Sequence, residues 1–419
     1  MADGDSGKGI KQFPLLRALR HRDFRILWIG AFLSFMGGQM QGVAQGYWVH
    51  EQTNSEGLLA MVTVCWSIPV MLFAPIAGIV ADRVDRKKAL LVCQSVLAVV
   101  ATATAVLLFF NQLQYWHVLL AALLSGSVST IEGPARQSVV RVTVGDEDLA
   151  AAVPAQAMTF NLSRILGPAL GGVILEVAGP FWCFAINAIS FAFLILSILM
   201  IRADLRPQKQ DAGDWRDLLL EGFRYTFRNP PLKVLFFMEA ATSLFGVFYI
   251  ALLPAIARDQ LGLDKRGLGL AHSAIGVGAI AALLTLSALS DKPVKALVTR
   301  LAMTGVAVGV VLLSFTSNAL SAFPLLAFIG FCAISQFNST NVLFQMLSPE
   351  ALRGRLIAMH FWAISGVSPF GVFAFGWLAE ATSNQVSLLT GGSILGVLSI
   401  WGWANRAKVQ EPTKMFGAA

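Results

Sequence analysis

The chain has 419 residues, of which 56% are hydrophobic and only 13% are charged, and its mean hydropathy is +0.67. Soluble proteins carry about 25% charged residues, so this composition excludes a soluble protein and indicates a membrane protein with several spans. The net charge of +7 requires no nucleic-acid partner, because the cytoplasmic loops of membrane proteins are rich in lysine and arginine. The four cysteines lie far apart within apolar runs, which predicts neither disulfide bonds nor a metal site.

The chain begins with a polar and then basic segment, residues 1–24, for which we expect a short cytoplasmic surface helix. The first apolar run starts near Ile26 and is too long for the hydrophobic core of a cleaved signal peptide. A membrane-spanning helix needs about 20 apolar residues, and about twelve runs meet this requirement. They lie near residues 25–49, 57–81, 89–110, 116–140, 149–175, 180–201, 232–257, 267–289, 296–316, 320–347, 353–379 and 385–404.

The longest polar stretch, residues 203–231, separates an N-terminal bundle of six spans (25–202) from a C-terminal bundle of six (232–405). Residues 406–419 form a cytoplasmic tail. Within the polar stretch, apolar residues recur at helical spacing among arginines, which predicts an amphipathic helix on the inner leaflet. We interpret this helix as a linker rather than a regulatory domain. The predicted fold class is therefore an all-α polytopic membrane protein with two six-helix bundles.

The distribution of cations predicts the orientation of the chain. If the N-terminus is cytoplasmic, 25 of the 31 lysines and arginines flank the spans on the cytoplasmic side, and three lie outside. Because lysine and arginine resist translocation, this asymmetry places both termini in the cytoplasm of a protein of the inner (plasma) membrane.

A charged hairpin between the second and third spans carries the most specific motif. Gly78 allows two helices to approach closely, and the carboxylate of Asp82 can cap or bridge the facing helix end. The Gly-x-x-x-Asp-Arg-x-x-Arg spacing resembles the loop between the second and third helices of the major facilitator superfamily of transporters. We expect a cytoplasmic gate in which arginines near the inner ends of spans 4 and 5 face the carboxylates of this loop. The gating residues are then Gly78, Asp82, Arg83, Asp85, Arg86, Arg136 and Arg141.

Polar and aromatic side chains form stripes on spans 1, 4, 7 and 10. Span 4 carries Ser125, Ser129, Glu132 and Arg136 on one helix face. Polar groups inside a bilayer are costly, so they are functional candidates by default. In the superfamily that the loop resembles, the first helix of each three-helix unit lines the central cavity, and these are the same four spans. The predicted cavity residues are Gln41, Gln45, Trp48, Ser129, Phe245, Phe248, Tyr249, Asn338, Asn341 and Gln345.

Three charged side chains inside the spans are candidates for proton coupling: Glu132, Glu239 and Arg164. Glu132 lies roughly 21 Å along span 4 and Arg164 lies at a similar depth in span 5, so the two could pair. A carboxylate in a partly desolvated cavity can take up a proton near neutral pH and bias the inward- and outward-facing states. Alternatively, Glu132 and Arg164 neutralise each other. The histidines His272 and His360 are expected to form hydrogen bonds between packed helices rather than a proton relay.

Span 5 contains Gly167, Pro168, Gly171 and Gly172, where small residues permit close packing and the proline loosens the backbone. This element resembles the end of a motif typical of antiporters in the superfamily, which favours export over uptake. Two further segments resemble the subfamily of the enterobactin exporter. They are the sequence Arg-Asp-Phe-Arg-Ile-Leu-Trp-Ile-Gly at 22–30 and Arg-Gly-Arg at 353–355.

The sequence thus predicts a proton-coupled exporter of a drug-like or siderophore-like small molecule, working by alternating access of the two bundles. It contains no signature of a soluble enzyme or of ATP binding, and we expect no catalytic residues, cofactor or metal. The expected partners are the small-molecule substrate, protons and the lipid bilayer, and we expect a monomer. Two alternatives remain: a transporter of lipids or amphiphiles without proton coupling, and a membrane sensor or scaffold that does not transport.

Overall fold

A computed structural model describes residues 18–83, 85–203, 215–289, 292–349 and 352–409, and within these ranges it contains helices and no strand. Residues 1–17 of the predicted N-terminal segment, residues 204–214 of the predicted linker and residues 410–419 of the predicted tail lie outside the described residues.

The N-terminal half begins with three helices, α1 (Arg22–Thr53), α2 (Glu56–Arg83) and α3 (Arg86–Phe109). The next helical element, Tyr115–Val177, is broken at Gly145, whose φ of +73° is favourable only for glycine. We call residues 115–144 α4 and residues 146–177 α5. Helix α6 (Pro180–Met200) completes this half. The predicted spans 4 and 5 leave residues 141–148 between them, whereas the structure turns the chain at this single glycine.

Helix α7 (Trp215–Arg228) is the helix predicted in the linker, and it precedes the C-terminal half. The helices of the C-terminal half are α8 (Pro230–Phe245), α9 (Tyr249–Ala255), α10 (Lys265–Ala288), α11 (Lys295–Ser314), α12 (Ala319–Leu347), α13 (Arg353–Phe361), α14 (Ser368–Ala381) and α15 (Asn384–Ala404). Two spans are interrupted. A π-helical turn, Ile256–Gln260, extends α9, and a second one, Trp362–Gly366, joins α13 to α14. A 3₁₀ turn, Arg406–Lys408, follows α15.

Eleven helical stretches in the described part of the chain are long and apolar enough to cross a membrane. Helix α4 supplies a further crossing, because its 30 residues extend about 45 Å and return the chain between α3 and α5. This agrees with the prediction of about twelve spans.

Local sequence explains where several helices begin. The carboxylate of Asp85 accepts hydrogen bonds from the backbone N–H groups of Lys87 and Lys88 and caps α3. Asp264 caps α10 in the same way, and prolines occupy the first turns of α6, α8 and α14.

The two halves pack as separate bundles that meet along two seams, α5 with α10 and α2 with α14. We call the end of the molecule where α1 begins and α15 ends the terminal face, and the opposite end the distal face. The linker helix α7 packs on α8 and α13, where Glu221 forms an ion pair with Arg355 and Phe227 contacts Phe236. The linker therefore attaches to the C-terminal bundle at the terminal face.

Candidate functional site

A cavity of about 670 Å³ lies between the bundles. It is bounded mainly by α1, α2 and α4 on one side and by α9, α10 and α14 on the other. Its polar lining comes mostly from the N-terminal bundle: Ser34, Gln39, Gln41, Gln45, Thr63, Gln94, Ser125, Ser129, Glu132 and Asn187. The aromatic lining residues are Phe35, Trp66 and Phe191. A mixed polar and aromatic surface of this size suits a small organic molecule.

Two glycines of helix α1 leave space for the cavity. Gly38 and Gly42 both line the cavity, and a Cβ atom added at either position would meet no atom within 4 Å. Gln41 and Gln45 line the cavity from the same helix, and the Nδ2 group of Asn187 donates a 2.6 Å hydrogen bond to Oε1 of Gln41. The bond orients the Gln41 amide.

Most of the cavity residues predicted in the N-terminal bundle line the cavity, whereas those predicted in the C-terminal bundle do not. Gln41, Gln45 and Ser129 line the cavity, whereas Trp48 is buried beside it. Seven predicted residues do not line it: Trp48, Phe245, Phe248, Tyr249, Asn338, Asn341 and Gln345. The C-terminal bundle contributes Val247, Ile250, Ala251, Pro254, His272, Ser368 and Val372 instead.

The interruption between α8 and α9 explains this difference. Phe248 is fully buried and stacks on Phe375 with ring centroids 4.3 Å apart, and Tyr249 is 1% exposed. The chain leaves helical geometry between Phe245 and Tyr249, so a single helical stripe does not continue across it. On α12, the amide of Asn338 donates to the Ile334 carbonyl.

Two lining residues that the stripes on spans 1, 4, 7 and 10 did not indicate are Gln94 on α3 and Asn187 on α6. Both are 4% exposed or less, and both are amides inside apolar spans. Because polar groups are costly to bury in a bilayer, the presence of an amide in each of these apolar spans was the signal that could have identified them.

Glu132 pairs with Arg136, and the proposed pair with Arg164 does not form. Oε1 of Glu132 lies 2.8 Å from a guanidinium nitrogen of Arg136, one helical turn away on α4. The closer cation on the same helix face satisfies the carboxylate. The guanidinium of Arg136 also lies over the ring of Phe35, 4.3 Å from its centroid, so it contacts the cavity wall.

Arg164 lies on α5 and contacts the ring of Phe160, with Cζ 5.7 Å from the ring centroid. Within the residues that the structure describes, Arg164 forms no hydrogen bond and no ion pair.

Glu239 and His360 form a second buried pair, between α8 and α13. Nδ1 of His360 lies 2.8 Å from Oε2 of Glu239, whose side chain is fully buried. Its other oxygen, Oε1, has no hydrogen-bond partner among the described residues. Next to this pair, Thr242 donates to Oε1 of Gln336, which links α8 to α12. His360 thus forms a helix-packing hydrogen bond, and its acceptor is the second candidate carboxylate.

Contacts between the bundles close the distal face. Nε2 of His50, at the end of α1, lies 2.7 Å from Oδ2 of Asp259. At the other seam, Oε2 of Glu380 accepts hydrogen bonds from the Ser55 hydroxyl at 2.5 Å and from the Gly57 N–H at 3.1 Å. These polar contacts between the bundles therefore bound the cavity on its distal side.

The glycines of α5 bring it against helices of both bundles. A Cβ atom at Gly171 would lie 2.9 Å from Cα of Met40 on α1. A Cβ at Gly172 would lie 2.9 Å from the Lys265 carbonyl oxygen and 3.0 Å from Cα of Gly269 on α10. Because these neighbouring atoms belong to the backbone, only glycine permits so close an approach at the two positions. Gly167 faces Gln39, and the Pro168 carbonyl faces Gly269.

The predicted gating motif is described in part. Residues 74–83 continue α2, and the side chains of Asp82 and Arg83 lie outside the described part of the chain, as does that of Arg141. Gly78 lies within α2. Asp85 caps α3, and Nε of Arg86 is buried without a hydrogen-bond partner in the described ranges.

In the described residues, no cluster of three or more histidine, cysteine, aspartate or glutamate side chains could hold a metal ion.

The two bundles and the cavity between them are the fold of the major facilitator transporters. The chain's fold is similar to that of the nucleoside transporter NupG, with a TM-score of 0.74, 16% sequence identity and coverage of 91% of this chain and 98% of that one. The D-xylose-proton symporter has a TM-score of 0.73, 14% identity and coverage of 94% and 99%. At these identities the likeness shows the fold alone.

The sequence profile of the transmembrane secretion effector family matches residues 15–415, and the chain belongs to this family. Among its relatives is the enterobactin exporter EntS of Shigella flexneri, which is 23% identical over 383 residues, 90% of this chain and 91% of the relative. The enterobactin exporter EntS of Escherichia coli O1:K1 / APEC is 22% identical over 383 residues, with the same coverage of both chains. The family resemblance predicted from the sequence is confirmed, and the protein is a transporter rather than an enzyme.

Proposed function

We propose that this protein exports a siderophore-like or drug-like small molecule across the inner membrane in exchange for protons. The observation that carries the proposal is the cavity between the bundles, lined by amides, hydroxyls and aromatic rings and closed at the distal face. The relatives named as enterobactin exporters support a siderophore-like substrate and the outward direction.

Alternating access follows from the way the bundles meet. The distal bridges hold one end of the cavity closed, so substrate enters from the terminal face in this state. Rocking of the bundles would separate the distal bridges, and the glycine contact between α5 and α10 provides a smooth surface on which the bundles can pivot. The charge asymmetry of the sequence supports a cytoplasmic terminal face.

Two carboxylates are candidates for the exchanged proton. Glu132 lines the cavity, where substrate and proton could compete for the same region, and Arg136 is its ion-pair partner. Glu239 is fully buried against His360, where uptake of a proton would remove a costly buried charge. Either site can couple protonation to the packing of neighbouring helices.

The test is flux in proteoliposomes of siderophores and dyes, with and without an imposed pH gradient. Gradient-driven movement that Glu132→Gln abolishes supports exchange with Glu132 as the coupling site. Gradient-driven movement that survives this change but not Glu239→Gln assigns coupling to Glu239. Movement that ignores the gradient supports a lipid or amphiphile transporter without proton coupling, and no movement of any compound supports a sensor or scaffold.

A further inference from the structure

A second pocket lies at the terminal face, between α7, α8 and the end of α15, and shares no lining residue with the central cavity. We call it the terminal pocket, and its volume is about 360 Å³. Three segments of the chain each contribute one cation to its wall. These are Arg228 at the end of α7, Lys233 in the first turn of α8 and Lys408 just after α15. Among the described residues that line the pocket, none is a carboxylate.

The described part of the protein does not neutralise these three cations. The side chains of Arg228, Lys233 and Lys408 are exposed, and within the described ranges none of them forms an ion pair or a hydrogen bond. Earlier on α7, by contrast, Glu221 pairs with Arg355. Like charges around one concave space repel each other, so an anion bound between them would lower the free energy of this arrangement.

Aromatic side chains place the terminal pocket at the edge of the bilayer. Trp401 and Phe227 line it, and the ring of Trp401 packs edge to face on that of Phe237, with centroids 6.4 Å apart. Trp401 and Phe237 are both exposed, on two helices that are long and apolar enough to cross a membrane. Tryptophan near the end of such a helix lies at the depth of the lipid headgroups. The pocket is therefore expected to open at the depth of the phospholipid phosphates.

The end of α15 adds a neutral hydrogen-bond donor to the pocket. Asn405 lines the pocket, and its Nδ2 group donates a 2.9 Å hydrogen bond to the Trp401 carbonyl. An asparagine amide has two N–H donors, so a second one can serve a ligand. The pocket thus combines cations, an amide and exposed rings, which suits a ligand with an anionic head and apolar chains.

We infer that the terminal pocket binds the headgroup of an anionic phospholipid, whose phosphate lies between the three cations while its acyl chains lie along the exposed rings of Phe237 and Trp401. Basic pockets between membrane helices bind lipid headgroups of this kind. Because the cations come from α7, α8 and the end of α15, the bound lipid would hold the linker helix to the C-terminal bundle. The site is separate from the central cavity and does not depend on the transported substrate or on proton coupling.

The experiment measures the binding of single phospholipids to the delipidated full chain in detergent by native mass spectrometry. It compares two probes with the same acyl chains and different charge, palmitoyl-oleoyl-phosphatidylglycerol and palmitoyl-oleoyl-phosphatidylcholine. The wild type should bind its first phosphatidylglycerol about tenfold or more tightly than its first phosphatidylcholine. Arg228→Gln combined with Lys408→Gln should abolish this preference without changing the affinity for phosphatidylcholine. Lys233→Gln alone should lose part of the preference.

Two neighbouring arginines provide the matched control. Arg224 is exposed one turn before Arg228 on α7, and it does not line the pocket. Arg406 is exposed in the same 3₁₀ turn as Lys408, and it does not line the pocket either. Arg224→Gln combined with Arg406→Gln removes the same charge from the same two segments and should retain the preference for phosphatidylglycerol.

Thermal unfolding in detergent shows whether each variant is folded. If the double variant in the pocket does not fold, Lys233→Gln compared with Arg224→Gln makes the same test with single changes. Glycerol 3-phosphate, which carries the charge of a headgroup without acyl chains, is added as a competitor at equal concentration. It should not displace phosphatidylglycerol, because it lacks the chains that contact the exposed rings.

Three results would overturn the inference. The first is equal affinity of the wild type for the two phospholipids, and the second is a preference that survives the changes in the pocket. The third is an equal loss in the control pair, because the general positive charge of the terminal face would then attract the lipid. Displacement by glycerol 3-phosphate would also overturn it, since the pocket would then hold a soluble phosphate ester.

Discussion

Glu239 depends on a single side chain for its hydrogen bonding within the described structure. Its carboxylate is fully buried between α8 and α13, Oε2 contacts His360, and Oε1 has no partner there. Removing one member of a buried pair leaves the other unpaired in a medium that cannot hydrate it, which is far more costly than removing both.

His360→Ala should therefore lower the free energy of unfolding by about 2–5 kcal/mol. The double variant Glu239→Leu with His360→Leu removes both polar groups and should recover most of this loss. Thermal unfolding in nanodiscs measures both effects. If the losses of the matching single variants Glu239→Leu and His360→Leu simply add in the double variant, the two side chains are not coupled.

Glu132 offsets the positive charge of Arg136 in the cavity wall, so neutralising it leaves the guanidinium of Arg136 without its ion-pair partner. Glu132→Gln should therefore lower the free energy of unfolding by about 1–3 kcal/mol. Thermal unfolding in nanodiscs measures the change, and Glu51→Gln at the distal end of α1 is the control. An unchanged free energy of unfolding in Glu132→Gln would show that this ion pair does not stabilise the protein.

At the scale of helices, α5 touches the opposite bundle through backbone atoms. A Cβ atom at Gly269 would lie 2.9 Å from Cα of Gly172 and would also contact the Pro168 carbonyl. Because backbone cannot move aside as a flexible side chain can, an added methyl group must push α5 and α10 apart.

Gly269→Ala should destabilise the protein by about 1–3 kcal/mol and reduce flux in proteoliposomes by about tenfold or more. The control is Gly396→Ala on α15, where an added Cβ meets nothing within 4 Å; it should not destabilise the protein and should leave flux unchanged. If the flux of Gly269→Ala equals that of the control, the α5–α10 seam plays no part in the transport cycle.

Sequence patterns predicted the helices better than the contacts between them. Apolar runs located the spans because length and hydropathy are local properties, and the α1 and α4 stripes located Gln41, Gln45 and Ser129. The C-terminal lining was not predictable, since the break between α8 and α9 buries Phe248 in its own bundle. Likewise, the Glu239–His360 pair joins residues 121 positions apart, which no helical periodicity encodes.

At the scale of the whole molecule, polar bridges at both seams close the distal face. They are His50 with Asp259, and Ser55 and Gly57 with Glu380. Both carboxylates bridge the two bundles, whereas Glu51 accepts a hydrogen bond from the Tyr47 hydroxyl within α1. Loss of the bridges should favour states in which the distal face is open.

Asp259→Asn combined with Glu380→Gln should increase labelling of a cysteine placed at Gln45, in a cysteine-free background, by a membrane-impermeant maleimide added from the distal side. We expect an increase of about fivefold or more, since each lost charge-assisted hydrogen bond shifts the equilibrium by about 1.5–3 kcal/mol. Glu51→Gln is the matched control. Unchanged labelling would show that these bridges do not hold the gate.

The proposed function requires that the movement of substrate and the movement of protons are obligatorily linked. Proteoliposomes that contain a pH-sensitive dye, with no imposed gradient, test it directly when a transported siderophore is added outside. Exchange predicts that protons leave as substrate enters, so the lumen becomes alkaline, and that Gly269→Ala and protein-free liposomes show no change. Substrate uptake at the normal rate with constant lumenal pH would contradict the account.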